Sequence, residues 1–511
     1  MTDICLAFEV HQPFRIDKNF TEGLAEGRTP EELFDIYFNN TWNRDILVRA
    51  ADKCYCPANR IVLENIDRFK SEQRRFKVAY SLSGVFLEQC ERWAPDVFDS
   101  FKQLSETGCV EFLCQTYFHS LSSLFSAERS EFAEQVLMHQ RLMRSLFRQK
   151  PQVFENTEFI YNNSIAKTIA SLGFRGIFTE GAERVLEWRS PNNVYKAKDC
   201  DLNILLRNYQ LSDDVSFRFS NRSWSGWPLT ADKYATWLSN TPGDCINLFM
   251  DYETFGEHQW PETGIHDFLR WLPGEVLKYE HLHFSMPSEL LKHRPAGEID
   301  VNDFSTLSWA DANRSTDAWL GNDMQRTAYE AVKNVGPFVK KTKSGALLKT
   351  WGLLQASDHI YYMYTTVGPS GIVHGYFSQQ FPTEAFWAFM KVMSSFHEKV
   401  AENLSGRDQA AAHLLRIVPP DRAFHFYEDG IYVNLSAHSL EELRDVLPFA
   451  SDRSLLFHVA CKHFEKWVRF AIGDDELADE ISMIEGKNVA DLKQRLHNVI
   501  EQRILKLRRG V

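Results

Sequence analysis

The residues able to do chemistry gather at the ends of short apolar runs. In LFMDYETFGEHQW, residues 248–260, three apolar residues lead into Asp251, Glu253, Glu257 and His258, with Phe255 and Trp260 among them. An apolar run that breaks into acids and rings at its C-terminal end is the pattern of a buried strand delivering side chains into a polar cleft. Three other runs end in the same way. One gives Glu9, His11 and Gln12, the next Glu111, Tyr117 and His119, and the third Glu155, Thr157 and Glu158, with Tyr161 just beyond. A single histidine of this kind is more often structural than catalytic, and a single acidic cluster is as readily a solvated turn. Four runs ending alike are harder to dismiss, because carboxylates buried together are costly unless something uses them. Two carboxylates on different strands, Glu158 and Asp251, suit glycoside hydrolysis: one attacks or stabilises the sugar carbon and the other protonates the leaving oxygen. The same set also suits a metal site with His11, Asp251 and His119 or His258 as ligands, and no HExxH-type motif decides between the two.

Elements that could position these groups follow from the hydrophobic pattern. Strands are expected at 4–10, 76–81, 109–114, 153–157, 173–178, 202–206 and 246–250, with helices between them at 86–105, 130–148, 165–172 and 232–239. The strands read as near-continuous apolar runs, as parallel strands covered on both faces do. Seven β-then-α units point to a parallel barrel, with a doubly wound open sheet as the rival. The segment 15–69 is too rich in structure for a simple loop and is expected to cover the mouth. Beyond about residue 294 the strand rhythm stops, and helices are expected at 325–335, 345–364 and 382–402. A strand pair at 424–427 and 431–435 then introduces helices at 439–447, 455–470, 475–484 and 490–508. The organisation expected is a catalytic barrel over 1–295, a helical domain completing the cleft over 296–405, and a small, mostly helical C-terminal module over 406–511.

Composition narrows the partners. A net charge of −12 argues against nucleic acid, which needs a basic surface. Aromatic residues make up 13% of the chain, a high share; core packing absorbs much of it, and a sugar-binding cleft is another place where rings accumulate. The first residues, MTDICLAFEV, place Asp3 where a signal peptide wants a cation, and no run is long enough to span a membrane. The nine cysteines are scattered without a CxxC pair, so free thiols in a cytoplasmic protein are expected.

Five ordered motifs carry a resemblance: HQP at 11–13, EFLCQTYFHSL at 111–121, FENTEFIYNN at 154–163, FMDYETFGEHQW at 249–260 and STLSWADANRSTDAWLGN at 305–322. Together they resemble the family 57 glycoside hydrolases, α-amylase-type members above all, and QASDHIYYM at 355–363 and HGYFS at 374–378 resemble the helical part of those members. The resemblance spans about residues 4 to 400. It implies a retaining, α-glucan-active enzyme on an incomplete TIM-type (β/α)7 barrel, followed by a helical bundle, with no catalytic metal or other cofactor. Glu158 would be the nucleophile and Asp251 the general acid/base. His11 and Glu111 would line the subsite of the attacked sugar, with Tyr117 and His119 behind them. Trp309, Asp311 and Trp319 would close the cleft from the helical side, supported by Asp358 and His359, and Trp260 would form cleft wall. The expected substrate is an α-glucan or maltooligosaccharide. A 4-α-glucanotransferase or branching enzyme would carry the same residues, and a non-catalytic glucan-binding protein is the alternative from another class.

Overall fold

The computed structural model describes residues 1–71, 74–125, 129–365 and 381–509; the HGYFS motif lies outside them. Seven strands form its centre: β1 (Thr2–Val10), β2 (Val78–Leu82), β3 (Val110–Phe112), β4 (Val153–Glu155), β5 (Gly176–Glu180), β6 (Asn203–Arg207) and β7 (Cys245–Asp251). They pair in parallel and in chain order. β3 meets β4 through the single bridge Cys114↔Phe154, and β6 meets β7 through Arg207↔Asn247. The last strand returns to the first, in a register running from Asp3↔Cys245 to Glu9↔Asp251. A first strand paired with the last is a barrel, not a doubly wound sheet.

Alternation along the strands explains why they look uniformly apolar. Ile4, Leu6 and Phe8 of β1 turn outward into a core shared with the helices Cys56–Arg68, Pro95–Glu106 and Ile265–Leu277. Cys5 and Ala7 turn inward with Ala79, Leu113, Val153, Phe178, Leu205 and Phe249. Both faces are dry, and the inner one is filled partly by small residues, as a narrow barrel demands. The segment 15–69 therefore does two jobs. Its second half, Cys56–Arg68, is an outer helix of the barrel, and only its beginning, at Arg15, reaches the mouth. Two strands that the apolar pattern does not signal, Val194–Ala197 against β6 and Leu282–Phe284 against β1, extend the sheet.

The helices Asp323–Thr342, Gly345–Leu354, Ser357–Tyr361 and Pro382–Glu402 follow. The expected helix over 345–364 breaks at Gln355, and this break delivers Ser357 and Asp358 to the barrel mouth. One apolar core runs on from the barrel flank through these helices to Ile504 in the final helix, Val489–Arg508. The hairpin Phe424–Glu428 and Ile431–Ala437 is antiparallel. All nine cysteines are free, and among the described residues no helix is long and apolar enough to cross a membrane.

Gly256 sits in the turn after β7 with φ +142°, where a Cβ would collide with the Lys53 carbonyl. The Gly256→Ala variant is therefore expected to lose about 2 kcal/mol or more, since the backbone must move and a side chain must adopt a disfavoured conformation. The shift in urea midpoint measures it.

Candidate active site

Inward parity that is apolar deep in the barrel becomes polar one layer up. Glu9, Ser81, Glu155, Glu180, Arg207 and Asp251 occupy the next inward positions of β1, β2, β4, β5, β6 and β7. Above them opens a cleft of about 860 Å³ whose lining includes Glu9, His11, His119, Glu158, Asp251, Trp309, Asp311 and Asp358.

Glu158 stands on a strained turn. Directly after β4 the backbone enters the left-handed region at Glu158 (φ 59°) and Phe159 (φ 58°), a conformation that costs an L-residue on the order of 1–3 kcal/mol and persists only where surroundings impose it. Here the neighbours in the NTE motif impose it. The Asn156 amide donates to the Ile160 carbonyl at 2.8 Å, and the Thr157 hydroxyl pairs with that of Thr116 at 2.7 Å. Backbone bonds then splice the turn to the helical part: Tyr161 and Leu307 exchange two, Trp309 N–H donates to the Glu158 carbonyl, and Ser357 N–H donates to that of His119. The splice brings Trp309 Nε1 to Glu158 Oε2 at 2.8 Å and the Ser357 hydroxyl to Oε1 at 2.9 Å, with His119 Nε2 3.6 Å from Oε1. Donors on both oxygens are what an ionised carboxylate takes.

Asp251 meets the opposite environment. Burial, then the negative charge of Glu158, pushes its pKa up to about 7 against the pull of Arg207 and His119. Arg207 is held at β6 by Glu180 at 3.1 Å, by the Phe249 carbonyl at 2.7 Å and by Asp213 at 2.5 Å. Two carboxyl groups, one furnished with donors and the other favoured as the acid, face one cleft.

The histidines divide similarly. Their rings stack at 4.1 Å. Burial and the adjacent His119 lower His11 to about 4, so it is neutral, donating Nε2–H to Asp358 at 3.1 Å and accepting from the Ser83 hydroxyl at 2.7 Å. Burial works against charge on His119, but the Glu158 carboxylate outweighs it and raises its pKa. Burial also works against ionised Asp358, yet His11 and His119 hold it below the usual carboxylate range. The ligand-type atoms of His11, His119 and Asp358 lie within 4.8 Å of one another; Asp358 thus takes the place that the metal alternative gave to Asp251.

Of the expected site residues, Glu158, Asp251, His11, His119, Trp309, Asp311 and Asp358 meet at the cleft, and the others do not. Glu111 is the middle residue of β3, level with Ala79 and below the mouth, where its carboxylate accepts from Ser288 N–H at 2.9 Å; Gln115 arrives above instead, 3.0 Å from His119. Tyr117 donates to Glu88 beneath Lys349, outside the cleft. Trp260 is 54% exposed and rests against Lys53. Trp319 is buried behind Tyr361, and His359 is buried between Phe38 and Phe389. The rings lining the cleft are Phe217, Tyr361, Tyr362, Tyr364 and Trp309, and Trp309 has one face already stacked on Phe159 at 4.8 Å. Glu253 and Glu257 are structural partners, the first of Tyr55 and Gln12, the second of Arg49. Glu155 is fully buried, not solvated, and accepts from Ser81 at 3.0 Å. Sequence reasoning missed Ser357, Arg207 and Asp213. Arg207 was within reach, since it ends the sixth strand one residue past its expected limit; Ser357 lies in the QASDHIYYM stretch, directly before the expected Asp358.

A sequence model described as "Glycosyl hydrolase family 57" matches residues 5–302, more than half of the chain. The chain belongs to glycosyl hydrolase family 57. A relative from Methanocaldococcus jannaschii, named "Putative alpha-amylase", is 46% identical over 412 residues, covering 79% of this chain and 85% of its own. The fold is also that of a 4-alpha-glucanotransferase from Thermococcus litoralis, at 15% identity and TM-score 0.57, covering 84% of this chain and 64% of that one. A GH57 branching enzyme from Thermococcus kodakaraensis matches at 13% identity and TM-score 0.53, covering 79% and 90%. Membership makes the chain a glycoside hydrolase.

The fold favours Asp251 protonated, so its contribution to stability is complete below the unfolded pKa near 4 and is lost as pH rises through about 7. Asp251→Asn is therefore expected to gain on the wild type between pH 4 and 8, by on the order of 2 kcal/mol, read from urea denaturation at both pH values.

Proposed function

We propose that this family 57 member cleaves α-1,4-glucosidic bonds in α-glucans with retention, through a covalent intermediate on Glu158. The observation that carries the reading is the divergence of two carboxyl groups at one cleft. Glu158 has donors from Trp309 and Ser357 on its two oxygens, and Asp251 has a pKa of about 7. Opposed environments of this kind are how one site runs acid and nucleophile roles together.

In the first step a Glu158 oxygen attacks the anomeric carbon while Asp251 passes its proton to the departing glycosidic oxygen. In the second, the Asp251 carboxylate takes a proton from water, whose oxygen displaces Glu158 and restores the acid. Trp309 and Ser357 fix the carboxylate against rotation, and His119 stands beside it, with Nε2 3.6 Å from Oε1. His11, Asp358 and the tyrosines at 361, 362 and 364 form the polar and aromatic wall that meets the sugar. A sugar hydroxyl in place of water would make the same site a transferase, so hydrolysis rests on the acceptor.

Glu158→Gln and Asp251→Asn should each lower turnover on maltooligosaccharides by several orders of magnitude with the fold intact, as judged by circular dichroism. Near-normal cleavage by either would overturn the assignment. The basic limb of kcat/KM should fall near pH 7, where Asp251 loses its proton. Incubation with maltohexaose is expected to yield only shorter products, resolved by chromatography; longer or branched products would assign transfer instead.

A further inference from the structure

Beside the catalytic cleft lies a second groove, of about 900 Å³, which the reaction above does not use. The two spaces share residues 312–314 and Asp317, so the loop carrying them is a ridge between the grooves. The far groove is built firmly. Arg184 donates to the carbonyls of Ser305, Thr306, Asn313 and Arg314, clamping two loop segments together. The tyrosines along it are held by their hydroxyls, Tyr209 to Glu183 at 2.7 Å and Tyr329 to the Leu124 carbonyl at 2.6 Å. Arg314 lies over the Tyr209 ring at 4.8 Å.

Phe304 stands at the rim. It belongs to the short turn Asp303–Ser305, whose backbone N–H groups are capped by the Asn302 side chain, and its ring is fully exposed, at 103%. A lone exposed apolar residue is unremarkable on a surface. This one, however, sits on a capped turn next to a clamped loop, at the edge of a groove. The chemistry of the groove separates ligand classes. Its cations are engaged, Arg184 by four carbonyls and Arg314 by Tyr209 and the Trp309 carbonyl, while Asp303, Glu183 and Asp317 supply acceptors. Acceptors beside aromatic faces suit a neutral ligand rich in hydroxyl groups and repel phosphates.

We propose that this groove is a remote subsite for long α-glucans, in which a chain leaving the catalytic cleft crosses the ridge at residues 312–314 and stacks a glucosyl unit on Phe304. The proposal rests on the α-glucan reading of the cleft, and it makes the protein discriminate by chain length. A short oligosaccharide fills the cleft alone, whereas a long one gains contacts beyond the ridge.

Phe304→Ala tests it without threatening the fold, since the ring touches little of the protein. The variant is expected to raise KM for amylose, and to weaken binding to immobilised amylose, by roughly 3- to 10-fold, the worth of one ring contact. Its kcat/KM for maltotriose should stay at the wild-type value. Unchanged amylose kinetics and binding, or an equal loss on amylose and maltotriose, would overturn the subsite. A wild-type enzyme that cleaves neither glucan would sink the catalytic reading instead. In that case the amylose-binding measurement still judges the groove, because it needs no turnover.

Discussion

A closed barrel obliges every strand to send alternate side chains inward, and this constraint governs the molecule. On β1 the inward series is Cys5, Ala7, Glu9; on β7 it is Cys245, Asn247, Phe249, Asp251. The lower layers are dry and tightly filled, and the top layer is charged. With Glu9 and Asp251 adjacent in register, and Glu155 and Glu180 on neighbouring walls, the mouth concentrates carboxyl groups where water is scarce. Burying them together raises their proton affinity: Asp251 to about 7, Glu155 and Glu253 to about 8. Of these, Asp251 is the group whose raised pKa faces the cleft beside a carboxylate supplied with donors.

Two further carboxylates at the mouth take partners brought from far along the chain. Glu158 depends on Trp309 and Ser357, respectively 151 and 199 residues away. Asp358 depends on His11, 347 residues away. The helical part is thus a working component of the site, because it supplies donors that the barrel lacks. The backbone splice at Tyr161, Leu307, Trp309 and Ser357 holds these donors in place, so the strained turn at Glu158 persists.

The expected residues that stand away from the cleft share a physical reason. Glu111, Trp260 and Trp319 lie within motifs of the family, and a motif shows which stretch approaches a site without showing which side chain faces it. Glu111 is one layer too deep, and Gln115 takes the place beside His119. Trp319 supports Tyr361 from behind, and Trp260 turns out over Lys53. Orientation follows from register and from the packing of one loop on another, neither of which is written in spacing along the chain.

The sequence by itself determined the seven strands and the division into barrel and helices, and it placed Glu158 and Asp251 at strand ends. These are local matters: hydrophobic periodicity decides where strands lie, and the residues at their ends are simply the next ones along. Only the tertiary structure decided that the ring closes β7 onto β1, and that Ser357 and Trp309 are the donors to Glu158. It likewise paired His11 with Asp358 and left Arg207 to restrain Asp251 from β6. Each of these is a contact between residues far apart in the chain. Closure of the barrel and docking of the helices create such contacts, and pattern along one dimension does not encode their geometry.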